Sequence, residues 1–418
     1  MVAPQTLSQT NEGQLWLTQF AERDRQSAAA MLDSMLLLNE EQVITSIRSS
    51  LDSIANRPSR GKKRVALYVE REFQESVFFK SEMIADKSGV LRTRAVGKAG
   101  PPAVKPIRGH TRVGSEGMLA FVLSQQTEAW PKVFMNNPGP DRLRAKTAPA
   151  EEIVIVTDFI GSGNRVKSML DMFWAVPTIR SWVSRKLVRF RVVAAAATST
   201  GASSVRAHRL RPDVGVEWIA PTIRSGSLRN CLHWIALIDK NGPSEGREGC
   251  GRYGFNSDGA LIAFSYRIPN NTPAMIHYSF GAWRALFTGP APFGLKNLFG
   301  VRSSADVVDE AAANVGLVLG RELTDEDRAT MLVLTLLRGR WHKGSATALS
   351  SRTGMPVHTL LDILRKALKD HFITDDGRLT DKGYEYLAAG KLAERPKPIV
   401  ATNQKPYYPE SLRSHGSV

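Results

Sequence analysis

Ile153-Val-Ile-Val-Thr-Asp-Phe-Ile-Gly-Ser-Gly-Asn-Arg165 runs from four β-branched apolar residues through a carboxylate into a glycine-rich turn. Four such side chains in a row suit a strand buried on both faces, as in a parallel sheet. The residues that follow, 164–175, have the pattern of an amphipathic helix. Gly161-Ser162-Gly163 lets the chain turn tightly between the two and aims several backbone N–H groups at one point, where the helix dipole also favours an anion. The stretch therefore predicts a phosphate cradle built around Asp158, Gly161, Ser162 and Gly163. Asp158 would accept from sugar hydroxyls, and the Ser162 hydroxyl would add a donor. A ribose bearing a 5′-phosphate fits that set, and a plain strand-to-helix joint is the other reading of the same residues.

Neighbouring segments repeat the rhythm. Strand-like runs occur at 65–69, 133–135, 153–156, 188–196 and 215–219, with helical patterns at 115–126, 164–175 and 203–209 between them. Strand, helix, strand in that order predicts an α/β domain with a parallel sheet. Ahead of the helix at 115, the loop Arg108-Gly-His-Thr-Arg-Val-Gly-Ser-Glu-Gly117 forms a second strand-to-helix mouth, placing Gly114, Ser115 and Glu116 opposite the cradle. They are candidates for a pyrophosphate, or else Ser115 and Glu116 only cap the helix. Thr198–Ser204 reads as a hydroxyl-rich loop on the same edge. Pro269-Asn-Asn-Thr-Pro273 reads as a stiff turn whose amides either face a base or bond locally. If a group-transfer reaction occurs, Asp158 and Glu116 are the candidate proton carriers.

The chain has 418 residues, 42% hydrophobic and 23% charged, which at roughly 150 residues per domain predicts two or three folded domains. Lys and Arg number 56 against 40 Asp and Glu, a net charge of +16, which favours a polyanionic partner such as nucleic acid or a phosphorylated ligand. Ten basic residues lie between Ile179 and Arg229 against only Asp213 and Glu217. Within that stretch Arg185, Lys186, Arg206, Arg209 and Arg211 are candidate nucleic-acid contacts, unless the stretch is simply a solvated face. Two cysteines, Cys231 and Cys250, form neither a disulfide frame nor a zinc motif, so no protein metal site is expected. Met31–Leu38 is too short for a membrane span, and the expected location is the cytoplasm.

At the N-terminus, residues 14–54 carry apolar positions at helical spacing and predict a helical pair split at Asn39, whose side chain would cap a helix starting Glu40-Glu-Gln42. Asp306–Leu319 is predicted as a bridging helix. From Thr324 onward the pattern is a capped helix, helices at 345–352 and 358–372 joined through Gly354-Met-Pro356, a hairpin at Ile373–Thr380, and a last helix at Asp381–Ala389. This is the outline of a winged helix. Arg365, Lys366 and Lys369 on its second long helix are further candidate nucleic-acid contacts, offset by Asp362 and Asp370. The expected domains are 1–60, helical; 61–300, α/β; 301–323, a helical linker; 324–393, the winged helix; and 394–418, a proline-rich extended tail.

The stretch 153–165 resembles the phosphoribosyl-pyrophosphate signature of type I phosphoribosyltransferases, in which four apolar residues precede two acids and a Thr/Ser–Gly phosphate loop. The resemblance implies a phosphoribose site of Thr157, Asp158, Gly161, Ser162, Gly163, Asn164 and Arg165, with a ribose contact from Asp158, 5′-phosphate binding by the backbone of Gly161 to Arg165, and Mg2+ bridging the phosphates mainly through ligand oxygens and water. Thr157 stands in place of the first acid, and Arg165 in place of the usual Ser or Thr. Trp16-Leu-x-x-Phe20, the Gly-Ser-Glu at Gly114 and Leu261–Pro273 extend the likeness to phosphoribosyltransferase-like proteins of bacterial conflict systems, including those paired with retron reverse transcriptases and a winged helix. That resemblance implies a phosphoribosyltransferase-like α/β core with N-terminal helices and a C-terminal winged helix. It also implies an antiphage effector acting on a nucleotide or phosphoribosyl ligand, by transfer or by cleavage of an N-glycosidic bond. A reverse transcriptase with its RNA/DNA product would then hold or trigger it, and self-association is open. The alternative is a winged-helix transcriptional regulator that only senses phosphoribosyl pyrophosphate.

Overall fold

The computed structural model describes residues 6–57, 64–72, 77–85, 88–102, 115–225, 228–243, 250–299, 323–338 and 345–392, with scattered positions between 307 and 319. In chain order the elements are α1 Asn11–Leu17, α2 Glu22–Asp33, β1 Leu36–Leu38, α3 Glu40–Ala55, β2 Arg64–Val69, β3 Ser81–Ala85, β4 Leu91–Ala95, α4 Ser115–Ala129, β5 Phe134–Asn136 and α5 Pro140–Leu143. They continue with β6 Ala150–Ile160, α6 Asn164–Ala175, α7 Pro177–Ser184, β7 Arg189–Ala197, α8 Ser199–Arg206, β8 Asp213–Ile219, α9 Leu228–Asn241, β9 Ile262–Phe264 and α10 Ala274–His277. The C-terminal helices are α11 Asp325–Leu337, α12 Ala346–Thr353, α13 Val357–Lys369 and α14 Asp381–Leu392.

Five parallel strands form the central sheet in the order β5-β2-β6-β7-β8. β6 lies in the middle, and its alternate residues serve two layers. Ile153 and Ile155 pack with α6, α7 and α8 through Val166, Leu170, Phe173, Ile179 and Val205. Val154 and Val156 pack with α3 and α4 through Val43, Ile47, Leu51, Leu119 and Val122. All four β6 residues have 0% exposure, which is why the run is continuously apolar rather than alternating. The chain leaves β2 through α4 toward β5 on one side, and leaves β6 through α6 toward β7 on the other. The topological switch therefore falls between the C-terminal ends of β2 and β6.

Local capping chemistry sets the helix starts. Asn39 accepts from the Gln42 N–H at 2.7 Å while the Gln42 side chain returns to the Asn39 N–H at 2.9 Å, a reciprocal capping box. Thr324 caps α11 through the Asp327 N–H. The expected loop at Thr198–Ser204 is instead the start of α8. Thr198 Oγ1 accepts the Gly201 N–H at 2.9 Å, so the helix begins four residues before the predicted 203.

Further departures have tertiary causes. The N-terminal helical pair is three helices interrupted by β1, because Leu36–Leu38 pair in parallel with Ile262–Phe264, more than two hundred residues away. β9 is confined to Ile262–Phe264, since the chain turns back where the Phe264 N–H meets the Arg267 carbonyl. β3 and β4 form an antiparallel hairpin whose residues are mostly exposed, so no apolar alternation announces it. Trp16, Phe20 and Trp283 meet edge to face with centroids 4.8–5.7 Å apart, joining α1 and α2 to the segment 250–299.

Residues 325–392 form a separate core around Leu332, Leu334, Leu349, Leu360 and Ala367, with Ile373 bridging antiparallel to Leu379 where the hairpin was expected. This unit packs on β8 through α12 and α13. The fully buried Ser350 hydroxyl accepts the Ile219 N–H at 3.2 Å and donates to the Met355 carbonyl at 2.7 Å. Most of the linker helix expected over 306–319, and all of the tail from 394, lie outside the described residues. Among the described residues no helix is long and apolar enough to cross a membrane.

Candidate functional site

The β6–α6 joint is a tight glycine turn from strand into helix. Gly163 occupies the N-cap of α6 with φ of 79°, a left-handed conformation that a side chain would strain, and no side chain caps the helix there. Ser162 Oγ accepts the Asn164 N–H at 3.3 Å, and Asn164 and Arg165 are exposed. Apart from the Asn164 N–H, which Ser162 takes, the first turn of α6 starts at the switch point without an N-cap side chain. Gly161 is a glycine for a different reason. A Cβ there would collide with the Asn271 side chain, and Thr198 Oγ1 donates to the Gly161 carbonyl at 2.7 Å. Asn271 itself donates to Asp258 at 2.7 Å, so it is a local hydrogen-bonder packed against the turn. Asn270 is exposed.

Asp158 lies below the cradle and is 2% exposed. Arg267 binds it in a fork, Nη2 to Oδ1 at 2.7 Å and Nε to Oδ2 at 3.0 Å, and the Tyr266 hydroxyl donates to Oδ2 at 3.0 Å. The Ser115 hydroxyl, at the start of α4, donates to the same carboxylate. Burial pushes the Asp158 carboxyl up, but the Arg267 charge and these hydrogen bonds outweigh it and hold the group below its usual value. The same partnership raises Arg267, and burial beside the carboxylate raises the Tyr266 phenol. Both Asp158 oxygens are thus taken by the protein, which departs from the sequence expectation that they accept from a sugar.

A second cluster sits at the rim. Thr157, where a first acid would stand, donates from Oγ1 to Glu70 Oε2 at 3.2 Å, so the neighbouring strand brings a carboxylate to that place. Arg165 spans two carboxylates, with Nε 3.0 Å from Glu70 Oε1 and Nη2 2.8 Å from Glu116 Oε1. Glu70 is almost fully buried, and that burial raises its carboxyl despite the opposing charge of Arg165. Glu116 is partly open to solvent, with 32% of its side chain exposed. The starts of α4 and α6 therefore meet across the switch point. Of the predicted site residues, the fold brings together Thr157, Asp158, Gly161–Arg165, Ser115 and Glu116, whereas Gly114 and Arg108, His110 and Arg112 lie outside the described residues. Sequence reasoning missed Glu70, Tyr266 and Arg267. The only sequence signal for Glu70 was a charged residue directly after the apolar run Val65–Val69.

The basic residues fall into three sets. Arg189 and Arg191 pair with the buried Glu152, and Arg191 also meets Asp213. Arg185, Lys186, Arg206, Arg209 and Arg211 are exposed on the α6–α7–α8 side of the sheet, where Arg180 and Arg209 approach the Trp174 ring at 6.0 and 5.9 Å. On α13, Arg365 pairs with Asp362 at 2.7 Å and Lys366 with Glu326 at 2.6 Å, while Lys369 is exposed. Among the described residues no cluster of three His, Cys, Asp or Glu side chains is arranged to hold a metal ion.

Comparison with known proteins agrees with this architecture. The PRTase-CE family model matches residues 14–288, and a model described as wHTH-PRTase associated matches residues 331–414. No curated protein matches the chain. The first match spans the N-terminal helices, the parallel sheet and both halves of the strand-end cluster; the chain belongs to the PRTase-CE family, with a phosphoribosyltransferase-type domain followed by its associated winged helix.

Proposed function

We propose that the crevice between the ends of β2 and β6 binds the phosphate of a phosphoribosyl-bearing ligand, a nucleotide or phosphoribosyl pyrophosphate. The domain then transfers or releases the phosphoribosyl group as the effector of an antiphage, retron-type system held by a nucleic-acid-containing partner. The observation that carries this reading is the uncapped first turn of α6, with Arg165 beside it, at the topological switch of a parallel sheet. Loss or transfer at the ribose C1′ passes through an oxocarbenium-like state, so the site's work is positioning and charge stabilisation. Glu116, at the rim, is the carboxylate a ligand meets, and Asp158 is a positioning residue acting through Arg267 and Ser115. The exposed basic side chains around Trp174 support a polyanionic partner, and membership of a winged-helix-bearing family is consistent with one.

Asn164→Glu tests the reading, because residue 164 is exposed at the first position of α6, where an acid suits the helix but repels a phosphate. Calorimetry with ribose 5-phosphate, phosphoribosyl pyrophosphate and AMP should show saturable binding to the native chain that weakens at least about tenfold in this variant. Phage protection should fall with it. Absence of binding by all three compounds would refute the assignment.

A further inference from the structure

We infer that Arg165 supplies the positive charge a divalent cation would otherwise bring to this site, so that phosphate binding here is independent of magnesium; the inference rests on the phosphate reading above. Magnesium demands near-octahedral oxygen ligation at about 2.0–2.1 Å and is held through one or two carboxylates together with phosphate oxygens and water. The three carboxylates at the switch point do not meet that demand. Asp158 has both oxygens engaged by Arg267, Tyr266 and Ser115. Glu70 and Glu116 face one another across the Arg165 guanidinium, which lies 3.0 Å from one and 2.8 Å from the other. A metal placed between these two acids would have to displace a charge already there, and two positive groups would then share the space. The position next to the uncapped α6 turn is thus occupied by a planar, permanently charged fork suited to phosphate oxygens. Nearly half of the Arg165 side chain is exposed, 47%, which leaves it able to turn from Glu116 toward an incoming phosphoryl group. Glu70, buried and hydrogen-bonded by Thr157, stays behind as the anchor for the guanidinium.

Two measurements separate this inference from the function it rests on. Direct titration with Mn2+, read by electron paramagnetic resonance, should show no specific site on the native chain, whereas Arg165→Ser, which leaves Glu70 and Glu116 without a cation between them, should gain one. Titration with ribose 5-phosphate should give the same affinity, within about twofold, in EDTA and in millimolar Mg2+ for the native chain. Arg165→Ser should weaken binding at least about tenfold in EDTA and recover part of it when Mg2+ is added. A specific Mn2+ site on the native chain at these acids, or a tenfold gain in its ribose 5-phosphate affinity on adding Mg2+, would overturn the inference. Failure of ribose 5-phosphate to bind in either condition would remove the phosphate reading, while the Mn2+ arm would still report on the cation site. Both native-chain arms stand without the variant, should Arg165→Ser fail to fold.

Discussion

Arg267 reaches across 109 positions of chain to grip Asp158, and the pair is sealed by a phenol and a serine hydroxyl. A pair whose carboxylate is buried contributes mainly through the damage done when one partner is removed. Asp158→Asn leaves the guanidinium, 31% exposed, without a counter-charge and should lower stability at pH 7 by about 1–3 kcal/mol in chemical denaturation. The pH dependence has a definite sign. The Asp158 carboxyl is held below its usual value, so its stabilising effect is present above the unfolded-state value of about 4 and is lost as pH falls through the lower folded value. Melting curves of the native chain and Asp158→Asn should therefore differ at neutral pH and converge in strong acid. A constant gap from neutral pH down to acid would mean the carboxylate charge plays no part.

Among the elements, α8 shows how one hydroxyl ties local order to the site. Thr198 caps the helix and also holds the Gly161 carbonyl. Thr198→Ala should cost about 1–2 kcal/mol, the upper range for a lost cap, and weaken ribose 5-phosphate binding while the exposed face of α8 keeps its fold by circular dichroism. Features written in adjacent residues could be read from the sequence alone. The Asn39 and Thr324 caps, the buried β6 run and the glycine turn before α6 all announce themselves within a few positions. β1 could not be read this way, because three leucines after a helix become a strand only when Ile262–Phe264 arrive from far along the chain. The same holds for the chemistry. Asp158 and Arg165 stand in the quoted stretch, but what each carboxylate or guanidinium faces is set by Glu70 from β2, Glu116 from α4 and Arg267 after β9. A motif names the side chains, and the sheet order decides their partners.

Across the whole molecule, the winged helix is docked by the start of its second long helix, α13. His358, at the second position of α13, contacts Glu217 of β8, whose burial raises its carboxyl against the opposing effect of His358. In the docked arrangement the N-terminal turn of α13 faces the sheet, and the charges farther along are partly matched by Asp362 and Glu326. His358→Glu sets two acids against each other at this contact. It should speed hydrogen exchange at the Ile219 amide, bound to Ser350, at least about tenfold, while the amides of β6 keep their protection. Unchanged exchange at Ile219 would mean the contact does not hold the module. Among the described residues β8 is also the last strand of its sheet, and α12 and α13 pack against it. Whatever frees the module for another task uncovers a row of unpaired main-chain donors and acceptors, a ready template for an incoming strand, so release and the opportunity for a second chain to add itself to the sheet arrive together.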